Sequence, residues 1–153
     1  GLPTALVLTR QNLPQYENSG CEAMKGGYIL SDSEKETPDV LLMASGSEVE
    51  QIMGAQEELK KDGIDARVIS MPCMKLFLKQ SKEYQESVMP SAVRARVAME
   101  AGTTMPWYRF VGLDGKVLGL DHYGASAPAA ILFKEFGFTV ENVVKAAKEV
   151  VGK

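Results

Sequence analysis

The chain has 153 residues, with 17 Lys and Arg against 20 Asp and Glu and a net charge of −3. Hydrophobic residues at 45% and charged residues at 24% describe one globular domain over residues 1–153 and exclude a disordered or collagen-like chain. The acidic excess sits in residues 1–39, with three basic and six acidic groups, while the remainder carries fourteen of each, so nothing hints at a basic nucleic-acid surface.

Ala5-Leu6-Val7-Leu8 reads as a short strand ending at the polar cluster Thr9-Arg10-Gln11-Asn12. Pro14 holds Leu13 extended, which opens a loop through residues 15–39 with a short strand at Tyr28–Leu30. Val40–Ala44 is a continuous apolar run, the pattern of a strand covered on both faces. Ser47 and Glu50 form a capping-box pattern ahead of a helix whose inner face is Val49, Ile52, Met53 and Leu59. Gly63 falls where the C-cap is expected.

Ala66–Met71 is the next strand, stopped by Pro72, and residues 75–88 are helical in part. Arg94–Met99 and Val117–Leu120 supply two more strands. Gly124–Pro128 is a small-residue loop with Pro128 suited to the first helical position, leading to a helix that ends near Phe136-Gly137. Thr139 then caps a last helix with the stripe Val140, Val143, Val144, Ala147 and Val151, and with Glu141 in its first turn. Strands alternating with helices imply an α/β fold with a mostly parallel sheet.

Arg10 is the leading candidate site residue. It follows a predicted strand, at the edge where open α/β sheets gather ligands, and its planar fork suits a phosphate; a solvated arginine or a surface ion pair is the other reading. The Ser45-Gly46-Ser47 turn offers backbone N–H groups at a helix start, but Glu48 and Glu50 would repel an anion there, and capping is its expected use. Gly124–Pro128 reads as a tight strand-to-helix turn. His122, the one histidine, lies with Asp121 and Ser126 in a stretch too short for the three to converge as a relay. Trp107, Tyr108 and Phe110 form either core or a partner surface.

Cys21 and Cys73 are too few and too far apart for a disulfide framework, so a reducing, cytoplasmic setting is expected. The apolar runs fall short of the about 20 residues that cross a bilayer, and no signal peptide is visible, so no membrane association is expected. The first residue is Gly, which fits either processing or a piece of a longer chain.

Six motifs then stand in a familiar order. They are Thr9-Arg10-Gln11-Asn12-Leu13-Pro14, Lys25-Gly26-Gly27-Tyr28, Ala44-Ser45-Gly46-Ser47-Glu48-Val49, Val68-Ile69-Ser70-Met71-Pro72, Tyr108-Arg109-Phe110-Val111-Gly112, and Gly124–Pro128 with Phe136-Gly137-Phe138-Thr139. As a set they resemble the C-terminal domain of transketolases, from about residue 3 onward. The resemblance implies a three-layer α/β domain with a five-stranded sheet, four strands parallel and one antiparallel.

It also implies transfer of a two-carbon ketol unit between sugar phosphates in the pentose phosphate pathway. The cofactors would be thiamine diphosphate and a magnesium or calcium ion, held by upstream domains in a homodimer and not by this chain. The family's phosphate-binding arginine falls on Arg10, with Thr9 where many members have Ser. Leu113-Asp114-Gly115 with Asn142 imitates the thiamine metal motif, but Leu113 replaces its first Gly and Asp114-Gly115 reads as a hairpin or turn. No catalytic, cofactor or metal residue is therefore expected here, and the domain alone is expected to be inactive.

Two further readings stand beside this one: a separately encoded subunit of a split transketolase, and a non-enzymatic regulatory domain binding an anion or nucleotide at the sheet edge. Dihydroxyacetone synthase shares the domain type.

Overall fold

The computed structural model describes residue 3 and residues 5–152. Its strands are β1 (Tyr28–Ser31), β2 (Val40–Ala44), β3 (Ala66–Ser70), β4 (Arg96–Met99) and β5 (Lys116–Leu118). The helices are α1 (Val49–Lys61), α2 (Met74–Phe77), α3 (Lys82–Val88), α4 (Tyr108–Val111), α5 (Ala129–Glu135) and α6 (Val140–Val151), with 3₁₀ turns at 21–25, 46–48 and 105–107. The sheet order is β1-β3-β2-β4-β5. β3, β2, β4 and β5 run parallel, and β1 pairs antiparallel with β3.

The apolar run of β2 is covered on both faces because its alternate residues enter different cores. Val40, Leu42 and Ala44 face a layer that includes Ile52 and Leu59 of α1 and Val143 and Ala147 of α6. Leu41 and Met43 face the opposite layer, with Phe77 of α2, Val88 of α3, Trp107 and Phe110. Trp107 and Phe110 are thus core, whereas Tyr108 stays 57% exposed.

Two glycines shape the ends of these elements. Gly63, at φ +76°, completes a C-terminal motif in which its N–H donates to the Lys60 carbonyl and the Ile64 N–H donates to Leu59. Gly26, at φ +87°, lies where a Cβ would sit 2.4 Å from the Cys73 carbonyl oxygen, so the Gly-Gly motif serves close packing against the start of α2.

Three expectations change. Ala5–Leu8 is not a strand: Leu6, Val7 and Leu8 are 81%, 96% and 81% exposed, because β1 takes the place beside β3 and no described strand pairs with the segment. The capping box at Ser47 and Glu50 does not form. Residues 46–48 make a 3₁₀ turn, the Ser47 hydroxyl donates to the Glu48 carboxylate at 2.9 Å, and α1 starts at Val49. Pro128 is the N-cap and not the first helical residue, since its ψ of 139° is extended. Of the two readings of Asp114-Gly115, the turn holds: it carries the chain from α4 into β5, which runs parallel to β4. Thr139 caps α6 as expected, its hydroxyl oxygen accepting the Asn142 N–H at 3.3 Å.

Candidate functional site

The order in which the strands are laid down locates the crevice. The chain leaves β2 through α1 to β3 on one side, then returns past β2 to place β4 on the other. The carboxyl ends of β2 and β4 therefore flank the point where strand order reverses, the usual ligand crevice of open α/β sheets.

In this protein the crevice is braced from within. Glu48, 4% exposed, reaches from the turn after β2 and accepts the Ala101 N–H beyond β4 at 2.7 Å. Glu100 reaches the other way, accepting the Ser45 hydroxyl at 2.8 Å and a hydrogen bond from the Trp107 side chain. Burial raises the Glu100 carboxyl above its ordinary range and nearby Glu48 adds to the rise, which the Ser45 and Trp107 hydrogen bonds offset in part. The expectation that Glu48 belongs to a capped helix start is thus replaced by a cross-brace, and Glu100 enters the site without a sequence signal. Two carboxylates give this crevice the wrong charge for a phosphate.

Over the same edge runs a strap. Leu13, Pro14, Tyr16 and Ser19 share a small cleft with Gly46, Ser47, Val49 and the end of β3 at Ser70. Tyr16 packs on the core, Asn18 Nδ2 donates to the Leu30 carbonyl at 3.1 Å, and the Ser19 N–H closes a turn onto the Tyr16 carbonyl. Gln11, Asn12 and Leu13 line a larger cleft of about 750 Å³ with Ser47, Glu50, Phe133 of α5 and Thr139. Arg10 stands at the head of this strap, exposed, with no hydrogen bond or ion pair among the described residues.

The other candidates have structural partners. Asp121 accepts the Thr104 N–H at 2.8 Å and the Thr104 hydroxyl at 2.7 Å, which holds its carboxyl below the usual range. His122 Nδ1 lies 2.9 Å from the Tyr123 carbonyl, its ring packs edge-on to Phe136, and Ser126 stands in the same exposed loop, 121–128. Asp114 pairs with Arg94, and Asn142 donates to the Gly137 carbonyl at 2.9 Å from the first turn of α6. Neither of these last two fits a thiamine diphosphate metal loop. Among the described residues, no group of three or more His, Cys, Asp or Glu is arranged to hold a metal ion. No helix is long and apolar enough to cross a membrane among these residues.

A family model described as the transketolase-like C-terminal domain matches residues 26–139. Transketolase 7 of Craterostigma plantagineum is 52% identical over 152 residues, covering 97% of this chain and 22% of that protein. The solved transketolase of Leishmania mexicana superimposes with a TM-score of 0.85 at 35% identity, over 94% of this chain and 20% of that one. A Pichia stipitis transketolase solved with sedoheptulose 7-phosphate superimposes at 0.84 and 40% identity, with the same two coverages. The chain spans about a fifth of the length of these relatives.

Proposed function

This chain belongs to the transketolase-like C-terminal domain family, and from that premise we propose that it works as the C-terminal domain of a transketolase that moves a two-carbon ketol unit between sugar phosphates. Thiamine diphosphate, with a magnesium or calcium ion, supplies the carbanion chemistry in the whole enzyme and belongs to domains outside this chain. The chain's own contribution is Arg10. Its guanidinium grips the terminal phosphate of the sugar with parallel charge-assisted hydrogen bonds and so orients the reacting end.

The observation that carries this reading is an exposed arginine with no partner among the described residues, at the head of an anchored strap on the carboxyl edge of the sheet. The upstream transketolase domains and a second copy of the subunit complete the site as a homodimer. The two free thiols, with Cys21 exposed, support a reducing, cytoplasmic setting. Standing alone, the domain is inactive and binds a sugar phosphate no better than about millimolar, roughly 4 kcal/mol.

The test is Arg10→Ala in the complete enzyme. Expected is a loss of about 1.5–3 kcal/mol in kcat/KM for ribose 5-phosphate, as for a hydrogen bond to a charged group, with ribose itself barely affected. Equal damage to both acceptors contradicts the role. The mass of the native polypeptide separates a domain of a larger chain from a subunit of a split enzyme. An anion- or nucleotide-binding regulatory role is disfavoured by Glu48 and Glu100 in the crevice.

A further inference from the structure

Arg10 has no side-chain partner among the described residues, so whatever aims it acts through the backbone on either side. There the Thr9 hydroxyl makes two contacts. Its oxygen accepts the Gln11 N–H at 3.2 Å and its proton is donated to Gln11 Oε1 at 3.1 Å. One hydroxyl thus brackets Arg10, tying the residue before it to both the main chain and the side chain of the residue after it.

What the bracket is tied to matters as much as the bracket. Gln11 is half-buried, while residues 5–10 are exposed. Gln11, Asn12 and Leu13 face Ser47, Glu50, Phe133 and Thr139 across the larger cleft. Gln11 is the first half-buried residue of the strap, whose anchors follow at Tyr16 and Asn18, and Arg10 stands just before it. Without the bracket, Arg10 would sample many backbone conformations before meeting its ligand.

We infer that Thr9 is a positioning residue: its hydroxyl, bonded to Gln11, holds the chain at Arg10 in the conformation that presents the guanidinium to the substrate phosphate. The inference rests on the role proposed for Arg10 above. It assigns Thr9 no contact with the substrate, and it predicts that Ser, which keeps the hydroxyl, serves equally well, while Val, which keeps the shape alone, does not.

The experiment compares Thr9→Val, Thr9→Ser and Arg10→Ala, alone and with Thr9→Val combined with Arg10→Ala, in the complete enzyme with ribose 5-phosphate and with ribose. For Thr9→Val, KM for ribose 5-phosphate rises about three- to tenfold, the range of one lost hydrogen bond, with kcat and the ribose kinetics unmoved. Thr9→Ser restores the wild-type KM. In the Arg10→Ala background Thr9→Val adds nothing, because the two residues act through one contact. An unchanged KM in Thr9→Val, an equal rise for both acceptors, failure of Ser to rescue, or a full additional loss in the double variant each overturns the inference while leaving Arg10 its role. If Arg10→Ala fails to distinguish the two acceptors, the role of Arg10 itself falls, and that of Thr9 with it.

Discussion

In the crevice between β2 and β4, Glu48 and Glu100 are engaged by Ala101, Ser47, Ser45 and Trp107. At the head of the strap beside it, Arg10 faces solvent and has no partner among the described residues. The crevice is where an α/β fold usually binds ligands, yet here its charged groups already serve the fold. The strap has no regular structure, yet it carries a cation that has no hydrogen bond or ion pair among the described residues. Fold-level rules locate the edge, but they do not say which side chain there is still open to a ligand. The contrast makes a sharp claim: changes in the crevice should alter stability, and changes at the strap head should alter substrate binding.

The largest expected effect tests the crevice. Glu48→Ala leaves the Ala101 N–H without its 2.7 Å acceptor and removes one of the two ties between the loops, the Ser45–Glu100 hydrogen bond being the other. A loss of about 2 kcal/mol in unfolding free energy should follow, read by urea denaturation of the 153-residue chain. Glu48→Gln, which keeps an acceptor oxygen, should lose markedly less. A stability unchanged by Glu48→Ala would mean that the brace contributes nothing and that the crevice is open to other uses.

A smaller effect, of opposite sign, is expected at Glu100. Its carboxyl is raised in the folded state by burial and by Glu48, so the folded protein holds this proton more tightly than the unfolded chain does. The group then contributes stability that is full below its ordinary value of 4.5 and is lost as pH rises through the folded value. Glu100→Gln removes that loss, so the variant should be the more stable of the two at pH 7, with the difference shrinking as pH falls toward 4.5. Taking wild type minus variant cancels the opposite slope from carboxyls such as Asp39, held low by Lys35 and by the Asp65 N–H. A difference that stays flat from pH 4 to 7 would break the argument.

Legibility from sequence divides along the same line. The five strands of the sheet, α1 and α6 followed from local pattern, because a doubly buried strand such as Val40–Ala44 is apolar throughout and Val143 and Ala147 recur at helical spacing. Ala5–Leu8 has the same local signal and is no strand, since propensity carries no information about a pairing partner. The brace was invisible for a related reason. Glu48 bonds a backbone N–H 53 residues away, and Glu100 bonds a hydroxyl 55 residues away, so each reads locally as an ordinary surface acid. Arg10 gave only an ambiguous signal from its spacing, and its reading came from the motif Thr9–Pro14 as a resemblance. The structure alters the reason for its position, from the end of a strand to the head of a strap anchored by Tyr16 and Asn18.

The smallest expected effect is the most exacting test of the contrast. Arg10 buries nothing and bonds nothing among the described residues, so Arg10→Ala should change the unfolding free energy of the 153-residue chain by no more than about 0.5 kcal/mol. The denaturant slope should not move either, because no surface that the folded state covers is altered. Paired with the loss expected in the complete enzyme, this would separate binding from folding at a single side chain. If instead Arg10→Ala destabilised the chain by as much as Glu48→Ala, the guanidinium would be holding the strap in place, and a KM effect in the whole enzyme would then report a displaced strap and not a lost phosphate contact.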